Sequence, residues 1–141
     1  MDNLNETILD SFVNLKGLLS QKVEEHSKDD FLTFVKLMAP SIVSDFKMGN
    51  HIKVISNKLK DLEEGKIRRL MVFLPPRSSK SVLCSKLFPA WYIGRHPEHE
   101  ILTVSHSDQL SSDFGRSVRD IVSTEDFQKI FRGVQLRSDV R

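Results

Sequence analysis

The sequence predicts an α/β fold in which N-terminal helices precede the beginning of a parallel β-sheet. Between residues 5 and 64, apolar side chains recur at spacings of three and four, which is typical of amphipathic helices. Residues 70–74 (Leu-Met-Val-Phe-Leu) are continuously apolar, which favours a central strand covered on both faces. Residues 100–105 form a second predicted strand, and a helical pattern follows each of the two.

Local signals set the expected boundaries of the helices. The first helix is predicted over residues 5–26, with Ser27 as the N-cap of the next one. Gly65 is expected at the C′ position of the third helix, before the first strand. After the second strand, Ser107 or Asp108 is predicted to cap a helix, and Thr124 begins the last short one.

A loop that carries two cations joins the first predicted strand to the next helix. The prolines at 75–76 cannot donate ladder hydrogen bonds, so the strand must end there. Strand, tight loop and helix N-terminus form the layout of a phosphate-binding loop, where backbone amides and the helix dipole attract an anion. Lys80 and Ser81 match the last two positions of the pattern G-x-x-x-x-G-K-[ST], but its glycine positions hold Leu74 and Ser79.

Charge and composition restrict the classes of partner. The net charge of +2 does not demand a nucleic-acid partner, although a local basic patch would suffice for one. The single cysteine, Cys84, excludes an internal disulfide and fits a reducing cytoplasm. The longest apolar run, residues 70–74, is far too short to span a bilayer, so no membrane partner is expected.

Two further groups of residues are interpreted without a functional role. Trp91 and Tyr92 are predicted to pack in the core rather than to stack on a ligand. His96 and His99 flank Pro97, and their spacing could suggest a metal site. Because the sequence shows no cysteine and no third ligand converging on them, we interpret both histidines as loop residues.

Several spaced motifs agree with one protein family. Together they resemble the N-terminal ATPase region of the large terminase subunit of tailed bacteriophages, the motor that drives DNA into the capsid. The resemblance runs from about His51 to the C-terminus. The motifs are Pro75-Pro-Arg-Ser-Ser-Lys-Ser81, Phe88-Pro-Ala-Trp-Tyr-Ile-Gly-Arg-His-Pro97, Ile101-Leu-Thr-Val-Ser-His-Ser107 and Asp113-Phe-Gly-Arg-Ser-Val-Arg119.

The resemblance implies a fold, a ligand and roles for individual residues. The fold would be the incomplete start of a P-loop NTPase sheet, with a helical region at 1–48 and a partial ATPase domain at 49–141. Lys80 would contact the β- and γ-phosphates of ATP, and Ser81 would offer its hydroxyl to Mg²⁺. Arg77 would brace the charge on the γ-phosphate, which makes Arg77 and Lys80 the candidate catalytic residues. The implied nucleotide-binding residues are Pro76, Arg77, Ser78, Ser79, Lys80, Ser81 and Val82.

The resemblance also implies partners and an incomplete enzyme. The partners would be double-stranded viral DNA, a portal protein and a small terminase subunit, with the motor working as a homo-oligomeric ring in the cytoplasm of the infected bacterium. After Ser105 we find no apolar run that ends in Asp or Glu, and the nuclease carboxylates of the family are also missing. We therefore expect a truncated gene, a piece of a split gene or an excised fragment, one that does not hydrolyse ATP efficiently alone.

Two alternatives stay open at this point. In one, the chain is a non-catalytic interaction module or a truncated remnant, in which residues 5–64 bind a partner and the phosphate loop is vestigial. In the other, the chain is an unrelated nucleotide kinase or helicase. Such enzymes normally keep the loop glycines, so the absence of both glycines disfavours this second alternative.

Overall fold

Residues 2–136 form six α-helices and one π-helical segment. A computed structural model describes the backbone of residues 2–136 and the side chains from Asp10 onward. Residue 1 of the predicted region 1–48 and residues 137–141 of the predicted region 49–141 lie outside the described residues. The elements are α1 (Asp2–Asp29), α2 (Phe31–Ile42), α3 (Asn50–Glu63), a π-helical segment (Val82–Leu87) that runs directly into α4 (Phe88–Arg95), α5 (Asp108–Ser123) and α6 (Glu125–Ile130).

The predicted α/β fold, with the start of a P-loop NTPase parallel sheet, is wrong, because residues 2–136 contain helices but no β-strand and no sheet. Residues 70–74 and 100–105 lie outside the helices, but their backbones form no ladder. Leu70, Val72 and Leu74 are partly buried against the core. The side chains between them, Met71 and Phe73, are 82% and 85% exposed. The segment therefore packs one face against the helices and exposes the other. A central strand would be covered on both faces and paired with a neighbouring strand on each side.

The core is centred on α2. Five residues of this helix are buried: Phe31, Phe34, Val35, Met38 and Ala39. From the other half of the chain, Leu83, Leu87, Ala90 and Trp91 are fully buried in the same cluster. Fully burying one large apolar side chain contributes about 1.5–3 kcal/mol, so this shared core joins the N-terminal helices firmly to the helix that follows the loop. The burial of Trp91 confirms its prediction as a core residue.

One predicted helix start is wrong. Ser27 does not cap α2 but lies in the last turn of α1, where its buried hydroxyl donates to the carbonyl of Val23 at 2.7 Å. The N-cap of α2 is Asp30, whose carboxylate accepts from the backbone N–H of Thr33 at 2.9 Å. A serine that bonds the carbonyl four residues earlier continues a helix, and sequence alone does not distinguish this from capping.

Three other boundary predictions are confirmed. Gly65 has φ +73° just after α3, and the N–H of Lys66 returns to the carbonyl of Asp61 at 2.9 Å, as in a Schellman motif. Ser107 caps α5 and Thr124 caps α6, each accepting a backbone N–H through its hydroxyl. These features are set by residues close in sequence, so they follow from local chemistry.

Between residues 12 and 23, α1 exposes apolar side chains to solvent. Phe12 is 65% exposed and Leu18 is 60% exposed, and four more apolar side chains of the helix, at Val13, Leu15, Leu19 and Val23, are also exposed. No helix among residues 2–136, α1 included, is both long enough and apolar enough to cross a bilayer. No other element within residues 2–136 covers these side chains.

A polar cluster fastens α1, α3 and α4 to one another. The carboxylate of Glu63, at the end of α3, is 3% exposed and accepts from Arg95 Nε and from His96 Nε2, both at 2.8 Å. Arg95 also donates to the carbonyl of Lys28 at 2.7 Å and to the carboxylate of Asp29 at 2.8 Å. Burial raises the pKa of Glu63, but the hydrogen bonds and charges of Arg95 and His96 outweigh it and leave the pKa below its usual value.

The lowered pKa of Glu63 predicts a pH-dependent effect of Glu63→Gln. Because the carboxylate is favoured in the folded state, its stabilisation is fully present above the unfolded pKa of about 4.3 and is lost as pH falls through the lower folded pKa. We expect the variant to be less stable than wild type by about 1–3 kcal/mol at pH 7. The gap should narrow at pH 3, measured by urea unfolding.

Glu100→Gln is the matched control, because Glu100 is exposed. Its effect on the free energy of unfolding should stay within about 0.5 kcal/mol at both pH values. An equal deficit of Glu63→Gln at pH 7 and pH 3 would show that the ionised carboxylate is not what stabilises the cluster.

Candidate phosphate-binding loop

The loop that carries the candidate residues is held at both ends. Before it, Leu74 is partly buried against the core. After it, Leu83 and Leu87 of the π-helical segment are fully buried. Residues 75–81 between these anchors lie at the surface, with exposed or half-buried side chains. The loop conformation is therefore set by fixed ends, as is common for binding loops on a packed scaffold.

Two residues of the loop have left-handed backbone conformations. Arg77 has φ 62° and Ser79 has φ 60°, and among residues 2–136 these are the positive-φ residues other than glycine. Ser78 between them does not have positive φ. Left-handed residues that alternate with right-handed ones are the backbone pattern of anion-binding concavities, in which successive amides point the same way. A non-glycine residue in this region costs on the order of 1–2 kcal/mol.

The loop surrounds a cavity of about 470 Å³. All seven residues that the sequence assigns to nucleotide binding line it, together with Leu74 and Pro75. The lining contains two cations, Arg77 and Lys80, and no carboxylate. A cavity of this size is in the usual range for a small-molecule site, and the sign of its charge favours an anion.

Hydrogen bonds close the loop while leaving its amides available. The Ser78 hydroxyl donates to the Pro75 carbonyl at 2.7 Å, which tightens the turn. Lys80 Nζ lies 3.5 Å from the Leu74 carbonyl, a long and weak hydrogen bond that a phosphate oxygen could replace. The helical bonding begins with the N–H of Leu83 to the Ser79 carbonyl at 3.0 Å. The amides just before Leu83 are therefore the unpaired donors of a helix start.

The loop offers few oxygen ligands to a metal ion. Ser81 is exposed at the helix start, and its hydroxyl makes no hydrogen bond within residues 2–136. It is therefore available as one oxygen ligand. Since Mg²⁺ requires six oxygens and no carboxylate lines the cavity, phosphate oxygens and water would have to supply the rest.

The helix after the loop contains a π-helical segment, Val82–Leu87, which the sequence does not predict. The N–H of Phe88 bonds the Leu83 carbonyl, five residues back. Pro89 lacks an N–H, and its ring would clash with the carbonyl of Ser85 in a regular α-helix. The wider π turn accommodates this proline. Pro89 is the signal in the sequence for this geometry.

Comparison of the chain with known protein families, with curated proteins and with solved structures gave no match. Functional assignment therefore depends on the loop geometry and on the sequence motifs.

The strained backbone predicts that Ser79→Gly stabilises the protein. Glycine adopts positive φ without the steric cost that a Cβ brings, so we expect the free energy of unfolding to rise by about 1 kcal/mol in urea denaturation. Ser78→Gly is the control at a position without positive φ, where the added backbone entropy and the lost Ser78–Pro75 bond should destabilise. If both variants shift stability in the same direction, the backbone at Ser79 is not strained.

Proposed function

We propose that the chain binds ATP at residues 76–82, as the nucleotide-binding segment of a DNA-packaging motor of the terminase type. One observation supports the binding step above all others. A loop with two left-handed residues surrounds a cavity that is lined by two cations and by no carboxylate, at the start of a helix. This arrangement fits a polyphosphate, because amides, helix dipole and side chains all favour negative charge.

Each side chain of the loop has a distinct role in the proposal. Lys80 leaves its weak bond to the Leu74 carbonyl and binds the β- and γ-phosphates, which are stronger acceptors because they are charged. Arg77 makes no ion pair within residues 2–136, so its guanidinium is available for the γ-phosphate. Ser81 contributes its hydroxyl to the Mg²⁺ that accompanies the nucleotide.

The role in a motor is supported by the sequence resemblance. In this proposal a ring of subunits acts in the cytoplasm of an infected bacterium, on double-stranded viral DNA and together with a portal protein and a small terminase subunit. Closure of the loop around the nucleotide is coupled to movement of the bound DNA. The family motifs at 75–81, 88–97, 101–107 and 113–119 support this role, and the loop geometry supports the nucleotide step alone.

Binding and hydrolysis are separable in this proposal. ATPases of the type that the motifs resemble use one acidic residue to position the attacking water and another to hold Mg²⁺. The lining of the cavity has no acidic residue. We therefore propose that residues 1–141 bind nucleotide but turn it over slowly by themselves.

A second candidate function has its own observation. The exposed apolar side chains of α1, such as Phe12 and Leu18, favour the alternative in which the N-terminal helices bind a partner and the loop is vestigial. Hydrogen exchange during an ATP titration separates the two functions. Protection of the amides at 77–82 supports nucleotide binding, whereas an unchanged exchange rate there favours the interaction module.

Lys80→Ala tests the proposed site directly. Removal of a charge-assisted bond worth about 1.5–3 kcal/mol should weaken binding of a fluorescent ATP analogue by roughly 10- to 100-fold. Lys86→Ala is the matched control, because it removes the same charge from the π-helical segment at a residue that does not line the cavity. Equal loss of affinity in both variants would indicate nonspecific attraction to the net charge and would contradict the proposed site.

A further inference from the structure

A cluster of potential metal ligands lies just beyond α4, away from the residues that line the phosphate loop. The side chains of His96, Glu98 and His99 place one ligand atom each within 4.8 Å of one another. The turn that carries them is closed by a hydrogen bond from the His99 N–H to the His96 carbonyl at 3.0 Å. Sequence analysis found no third ligand for the two histidines, and Glu98 supplies one.

In each histidine, one ring nitrogen bonds a neighbouring side chain, called here its outer partner. The other ring nitrogen has no hydrogen bond within residues 2–136 and is available to a metal ion. His96 Nε2 lies 2.8 Å from the Glu63 carboxylate, which leaves Nδ1. His99 Nδ1 lies 3.1 Å from the Tyr92 hydroxyl, which leaves Nε2. Histidines that bind metals almost always donate their second nitrogen to a carboxylate or another oxygen, because that bond fixes the tautomer and orients the ring. Here such partners are in place on both rings.

Glu63 provides an independent observation. Its side chain is 3% exposed, and its second oxygen, Oε2, is buried without a hydrogen-bond partner within residues 2–136. A buried carboxylate that is not fully compensated gains from any added positive charge nearby. A cation on Nδ1 of His96 would strengthen the hydrogen bond that His96 donates to Glu63. The negative charge of Glu63 therefore favours cation binding at His96.

The ring geometry shows which part must move. The imidazoles of His96 and His99 are stacked, with centroids 5.0 Å apart and an interplanar angle of 11°. Because nitrogen lone pairs lie in the ring plane, two parallel rings cannot point at one ion. His96 is held by Glu63, whereas His99 and Glu98 are exposed, and His99 has a hydrogen bond to the Tyr92 hydroxyl. Binding therefore requires the His99 ring to tilt about its hydrogen bond to Tyr92, a movement that keeps this partner in place.

We propose that His96 Nδ1, His99 Nε2 and the Glu98 carboxylate bind one Zn²⁺ ion, with water at the fourth position. Two imidazoles and one carboxylate are ligands that Zn²⁺ accepts readily, and three protein ligands with an open fourth position form a known class of zinc site. The bound ion links the 96–99 turn through His96 to Glu63, and thereby to the end of α3. The inference does not depend on the proposed nucleotide site.

Metal titration of the chelator-treated protein tests the proposal. We expect isothermal titration with Zn²⁺ to give one site per chain, and Co²⁺ to give the intense visible absorption of a four-coordinate site. Tyr92→Phe keeps the ring but removes the outer partner of His99, so it should weaken Zn²⁺ binding by about 10- to 100-fold. Loss of a direct ligand, in His96→Ala or His99→Ala, should weaken binding further.

His106→Ala is the matched control, because His106 is an exposed histidine outside the cluster. It should bind Zn²⁺ as wild type does. Far-UV circular dichroism of each variant without metal shows whether the helices are intact, and Tyr92→Phe keeps the test valid if His96→Ala does not fold. Absence of binding by wild type, or equal affinity in wild type and the two direct-ligand variants, would overturn the proposal.

Discussion

The burial of Trp91 is the constraint on which the rest of the structure depends. Its ring is fully buried, and the ring centroid lies 5.2 Å from that of Phe31 at the start of α2. Its indole N–H donates to the Ser27 carbonyl at 3.0 Å, and the Arg95 guanidinium lies 5.0 Å above the ring centre. One side chain therefore fixes α4 to both α1 and α2, and its polar N–H has a hydrogen-bond acceptor. Because α4 continues the π-helical segment, Trp91 also fixes the end of the loop that bears Lys80.

The features that the sequence predicted correctly have local causes, whereas its largest error, the β-sheet, concerns contacts between distant residues. Gly65, Ser107 and Thr124 act within a few residues of themselves, and their predicted roles are confirmed. The error at residues 70–74 has a different origin. An apolar run specifies that a segment is covered, but not whether a helix or a neighbouring strand covers it. In this chain the helices partly cover Leu70 and Leu74, and residues 70–74 belong to no sheet.

The candidate loop was located from Lys80 and Ser81, and its backbone could be anticipated from the pattern they match. The position of the second glycine in that pattern is Ser79, and Ser79 has positive φ despite its Cβ. A residue that keeps a costly conformation is informative, since strain of this kind persists where the surroundings impose it and is concentrated at functional sites. The left-handed Arg77 had no comparable signal, because no position of the pattern requires it.

The two candidate sites lie at opposite ends of one continuous helical stretch, residues 82–95, which is roughly 20 Å long at 1.5 Å per residue. Its N-terminus faces the loop with two cations and no carboxylate, and its C-terminus leads into a cluster that contains Glu63 and Glu98. The helix dipole adds positive potential at the first end and negative potential at the second. An anion is thus favoured at the loop and a cation at the 96–99 turn. The buried face of this one helix, anchored by Trp91, sets the position of both.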